Sequence, residues 1–142
     1  MRIAFLSAAV LALAACGGDT TETETKSLYD SWQVTSVIAS GAKIPEAVTS
    51  TMSTPLTETT YHAVVAGQSD KGTIVVDDTA SPPRIDITGT EGPNAGTFTK
   101  SIYKLDGDTL IVSYDVTGAD YPADFDSKPG RTDMVVTYKR AE

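Results

Sequence analysis

The chain has 142 residues, room for one domain with tails, and its 40% hydrophobic and 21% charged residues exclude wholesale disorder. Eleven Lys and Arg against nineteen Asp and Glu give a net charge of −8, which gains nothing from counterion release and argues against a nucleic-acid partner. A single Cys, Cys16, excludes an internal disulfide and any multi-Cys zinc site, and a lone His62 excludes most histidine-based metal centres. At the start, Met1-Arg2 is a short positive segment. Ile3 to Leu13 is an apolar run broken only by Ser7, too short to span a bilayer as a helix.

This charge-then-apolar layout predicts a secretory signal over residues 1–15. The run ends in Leu13-Ala14-Ala15-Cys16, followed by Gly17-Gly18-Asp19. The tetrapeptide resembles the lipobox of bacterial lipoproteins at every position. That resemblance implies a diacylglyceryl thioether on Cys16, cleavage before it and acylation of the new amino group, hence a membrane anchor of several acyl chains. Gly17, where an Asp would resemble an inner-membrane retention signal of Gram-negative cells, points in such a cell to the outer membrane, on the leaflet facing the periplasm. Residues 16–27 then form the lipidated Cys and a tether. Gly17 to Lys26 (GGDTTETETK) has no apolar residue to bury and reaches at most about 35 Å when extended.

Residues 28–142 show period-2 alternation and almost no helix periodicity. Trp32, Val34 and Ile38 share one face of a first strand. Lys43-Ile44-Pro45-Glu46 opens a short helix, with Val48 and Met52 on one side. Leu56 to Ala66 divides near Thr59-Thr60, leaving Tyr61, Ala63 and Val65 facing together. Gly67 to Asp70 is a turn. Gly72 to Asp77 is a strand with Ile74 and Val76 on one face, and Pro82-Pro83 ends it. Arg84 to Thr88 turns Ile85 and Ile87 inward, and Thr90 to Gly96 is a loop. Thr97 to Leu105 and Thr109 to Val116 form a hairpin about Asp106-Gly107-Asp108, with Leu110, Val112, Tyr114 and Val116 as one inner row. A long loop, Thr117 to Gly130, precedes a last strand from Thr132 to Lys139 that carries Met134, Val136 and Tyr138 on one face.

About eight strands joined by short turns, without intervening long helices, exclude a parallel sheet. They predict an all-β, antiparallel up-and-down barrel with one short helix after the first strand; a β-sandwich is the alternative. The outward Thr, Lys and Asp residues predict a tethered domain and argue against a membrane-inserted barrel.

Three runs carry a family resemblance: Pro83 to Ile87, then Glu91 to Gly96 (EGPNAG), then Ile102 to Leu110 (IYKLDGDTL). Tyr121-Pro122, Phe125, Ser127 to Gly130, Lys139-Arg140, the opening Trp32-Gln33-Val34 and Gly41 to Pro45 fit the same pattern. Over roughly residues 28 to 140 the chain resembles a lipocalin-like conserved domain abundant in planctomycetes. The resemblance implies a lipocalin-like barrel. It implies no activity and no catalytic residue.

Candidate chemistry is sparse. His62 has no second His or Cys beside it, no GxSxG occurs, and Glu91 to Gly96 lacks the Lys and helix of a phosphate loop. Asp115, Asp120, Asp124, Asp126 and Asp133 gather around the long loop, where Ca²⁺ is conceivable, but the spacing is not that of an EF-hand and Lys128 and Arg131 lie among them. The expectation is therefore no catalytic residue, no cofactor, no metal site and no enzyme. Trp32, Tyr61, Tyr103, Tyr114 and Tyr138 are the candidate ligand-binding residues, lining a barrel that takes a small apolar or amphipathic molecule. The alternative is a filled barrel that serves as a structural or interaction lipoprotein.

Overall fold

The computed structural model describes residues 26–142. The expected signal segment, Cys16 and the expected tether up to residue 25 lie outside the described residues. Nine strands follow in order: β1 (Ser31–Ala39), β2 (Ala42–Lys43), β3 (Ser53–Pro55), β4 (Thr60–Val65), β5 (Gln68–Asp77), β6 (Arg84–Glu91), β7 (Phe98–Asp106), β8 (Thr109–Asp115) and β9 (Asp133–Arg140). One short helix, α1 (Glu46–Thr49), lies between β2 and β3.

Every pairing is antiparallel. Strands β3 to β9 pair in chain order, β3 pairs with β1, and β9 returns to β1. The sheet thus closes on itself through eight strands, and β2 is a short extra ribbon on β1. A closed sheet has no exposed edges to protect. The up-and-down barrel holds, and the two-sheet sandwich does not.

Turn chemistry sets the registers. Ser40-Gly41 and Ala66-Gly67 both have φ of 50° and 78°, the paired positive values of a type I′ hairpin turn. In the β7–β8 hairpin only Gly107 is positive, at 58°. The β4–β5 turn is therefore just Ala66-Gly67, and Gln68 to Asp70, expected in the turn, begin β5 instead. Likewise β6 continues to Glu91, so the following loop starts at Gly92.

Two further expectations are corrected. A β-bulge between Val34 and Ser36 inserts one residue against β9, which reverses the alternation beyond it. Val37 turns inward and is buried, where Ile38 was expected. In α1 the buried residue is Thr49, while Val48 is exposed, because the helix makes a single turn and its inward side falls on Thr49.

Inward rows from all around the barrel form the main core, including Trp32, Val34, Ile74, Ile85, Leu110 and Val136. Trp32 and Arg140 plug the end where β7 turns into β8. The Arg140 guanidinium stacks 4.5 Å from the Trp32 ring, and the Trp32 indole N–H donates to the Leu28 carbonyl at 2.9 Å. Ile102, Ser113 and Val135 pair with one another on the opposite, outward row, yet all three are buried. The loop 116–132 covers them. It is pinned by Tyr121 O–H to Asp86 (2.8 Å), by Arg84 stacked 4.1 Å from the Tyr121 ring, and by Ser127 O–H to the Asp133 carbonyl (2.9 Å).

Candidate functional site

A cavity of about 320 Å³ occupies the barrel axis. Its inner end is Trp32, and its rim at the other end carries Val65 and Val116, which are 38% and 58% exposed. Aliphatic side chains from β1, β5, β6, β8 and β9 make most of the wall, as the inward rows of a barrel require.

Of the predicted ligand-binding residues, Trp32, Tyr61, Tyr114 and Tyr138 line this cavity. Tyr103 does not. It is buried on the inward row beside Val112, but lies toward the plugged end, where Tyr29, Asp77 and Asp78 are its electrostatic neighbours. β8 ends at Asp115, one residue short of the expected strand, and Val116 follows it at the exposed rim of the cavity.

Two hydrogen-bonded sets stand out among the polar groups of the wall. On one side the Tyr114 and Tyr138 hydroxyls share a hydrogen bond of 2.6 Å. Burial holds both phenols above their ordinary pKa, so both stay neutral. On the other side Tyr61 donates to Asp70 at 3.1 Å, and burial together with that carboxylate pushes the Tyr61 phenol up to about 12. Strands β4 and β8 are four steps apart in the circuit of eight, so Tyr61 and Tyr114 face each other across the cavity.

Asp70 and Asn94 also belong to this site, although the turn-like composition around each places them in loops by sequence. Asp70 lies on the inward row of β5, paired with Ala63, and is 2% exposed. Asn94 reaches it from the β6–β7 loop, with the backbone N–H at 3.0 Å and the side-chain amide at 2.8 Å. Room for this comes from two glycines that pair across β5 and β6, Gly72 and Gly89. A Cβ on Gly72 would lie 2.6 Å from the Tyr61 ring and against the Thr88 carbonyl. A Cβ on Gly89 would strike the Asn94 carbonyl. Glycine inside a strand often marks such a close approach, and this facing pair was the available signal.

His62 points outward and shares a 2.7 Å hydrogen bond with Ser69, away from the cavity. The loop acids are already engaged. Asp115 accepts from the N–H groups of Thr117 and Asp120, both at 2.9 Å, and from the Thr117 hydroxyl at 2.6 Å. Arg131 bridges Asp124 and Asp133, and Lys128 pairs with Asp126. Among the described residues, no group of three or more His, Cys, Asp or Glu side chains is placed to hold a metal ion. The chain matches no family model, no curated protein and no solved structure.

Proposed function

We propose that this is a lipid-anchored protein of the cell envelope whose barrel binds a small apolar or amphipathic molecule. The observation that carries the reading is the cavity itself. Its volume of about 320 Å³ falls at the small end of the roughly 300–1,000 Å³ typical of ligand sites. Its wall is mainly aliphatic, with a few hydroxyl, amide and carboxylate groups, the mixture that holds an amphipathic ligand in one orientation. The anchor rests on the Leu13-Ala14-Ala15-Cys16 motif and on Cys16 being the only Cys.

Trp32 is the sole Trp and forms the inner end of the cavity, so its emission reports occupancy. Titration with octanol is expected to change that emission saturably. An unsaturable response to octanol, octylamine and octanoate alike would overturn the binding reading. For the anchor, Cys16→Ser should abolish labelling by a fatty-acid probe and release the protein from membranes. Labelling that persists in this variant would overturn lipidation at Cys16.

A further inference from the structure

We infer that the cavity selects amphipathic amines, with Asp70 receiving the ammonium head near the mouth and the apolar tail running toward Trp32. This rests on the proposed binding function and assigns its ligand class. The Asp70 carboxylate lines the cavity and is nearly fully buried. It accepts three hydrogen bonds, one from Tyr61 and two from Asn94, and all three donors are neutral. A carboxylate offers about four lone-pair sites, so one further donor can be accommodated. No Lys, Arg or His stands among the described residues that line the cavity. A buried carboxylate without a counter-charge is costly, and a cationic ligand head supplies that charge. The same wall repels a carboxylate ligand.

The placement fixes the orientation. Asp70 lies close to the Ala66-Gly67 turn, at the end where Val65 and Val116 form the rim. Ile74, Leu110, Val112 and Val136 lie between that level and Trp32, and they suit an alkyl or ring tail. Tyr61 and Tyr114 line opposing walls at this end. Asp70 also fastens the β6–β7 loop through Asn94, so a purely structural role must be separated by the test.

The test titrates the full chain with octylamine, octanol and octanoate at neutral pH, following Trp32 emission. Hydrogen bonds to charged groups predict that octylamine binds about 10- to 100-fold more tightly than octanol. Octanoate should bind more weakly than octanol. Asp70→Asn keeps one acceptor oxygen for the Tyr61 hydroxyl and the Asn94 side-chain amide but sets an NH2 against the Asn94 backbone N–H, so it should weaken both ligands and octylamine far more than octanol, abolishing the preference between them. A merely structural role would weaken both ligands by the same factor and leave the amine preference intact. Equal affinity for octylamine and octanol in the unmodified protein, or an amine preference that survives Asp70→Asn, overturns the inference and leaves the cavity reading standing. If Asp70→Asn does not fold, the order of the three ligands on the unmodified chain decides. Saturable binding of none of them overturns the underlying reading instead.

Discussion

Gly89→Ala tests how the polar side of the cavity is built. Gly89 does not need positive φ, so its requirement is for space alone. A Cβ there would strike the carbonyl oxygen of Asn94, with the carbonyl carbon 2.5 Å away. The obstruction is backbone and cannot rotate aside. The Gly89 backbone is also tied to the same loop, its N–H to the Thr97 carbonyl and its carbonyl to the Gly96 N–H, both at 3.0 Å. The loop must move, and it carries Asn94 away from Asp70. Overpacking of this kind costs about 1–3 kcal/mol, and stripping partners from a buried carboxylate costs a comparable amount, so the variant should lose about 2–5 kcal/mol. Gly67→Ala is the control. Its φ of +78° disfavours a Cβ, yet nothing lies within 4 Å, so only the left-handed backbone cost of about 1 kcal/mol applies. Urea unfolding followed by Trp32 emission measures both. With a slope of about 1–3 kcal/mol per molar, the Gly89→Ala midpoint should fall clearly below that of Gly67→Ala. Coincident midpoints would refute the steric account of the site.

Tyr114→Ala should cost less than the roughly 3–5 kcal/mol of a large aromatic truncation in a solid core, because one side of its ring faces the cavity; a urea midpoint shift in the full core range would count against an open cavity. Arg140→Met removes the cation from the Trp32 face and should cost about 1–2 kcal/mol from that contact alone, with a change in Trp32 emission; an identical spectrum would contradict the stacking. For Asp115, burial pushes the carboxyl up, but the N–H groups of Asp120 and Thr117 and the Thr117 hydroxyl outweigh it and bring its pKa to about 2. The folded value lies below the unfolded one, so this stabilisation is present above about pH 4 and fades as pH falls toward 2; Asp115→Asn should flatten that part of the urea midpoint profile, and parallel acid profiles would refute the assignment. The buried Ser113 hydroxyl has no partner among the described residues, so Ser113→Ala should be neutral or stabilising by up to about 1 kcal/mol, and a comparable loss in the urea midpoint would show that the hydroxyl is satisfied.

The barrel was legible because its signals are local. Period-2 rows such as Leu110, Val112 and Tyr114, and two-residue turns containing Gly107, depend only on neighbours in the chain. The bulge in β1 was not, because an inserted residue is defined by its partner strand. Its one trace is the polar pair Thr35-Ser36, which interrupts the alternation without saying on which side it resumes. Asp70 was missed for a related reason. Gly67-Gln68-Ser69-Asp70 has turn composition throughout, but a type I′ turn needs only two residues, and Ala66 with Gly67 supplies them. Counting from that turn places Asp70 on the same row as Gly72 and Ile74, which is the cavity row.

The two sides of the barrel are held by different means. Around β7, β8 and β9 the apolar pairs Ile102-Tyr103 and Val135-Val136 bury both faces of a strand, a pattern that calls for a second layer outside the sheet. The loop 116–132 provides it, and Tyr121, Ser127 and Arg131 fasten that loop. On β4 and β5 the outward residues His62, Lys71, Thr73 and Val75 are exposed, so among the described residues no outer layer braces this wall. Here Asp70, Tyr61 and Asn94 join β5, β4 and the β6–β7 loop from within the barrel, and Gly72 and Gly89 make the space for them. The carboxylate therefore sits where the wall is thinnest. Asp70 thus fastens the mouth from within, and the amine reading would have a ligand head meet the same carboxylate that holds Asn94 of the β6–β7 loop.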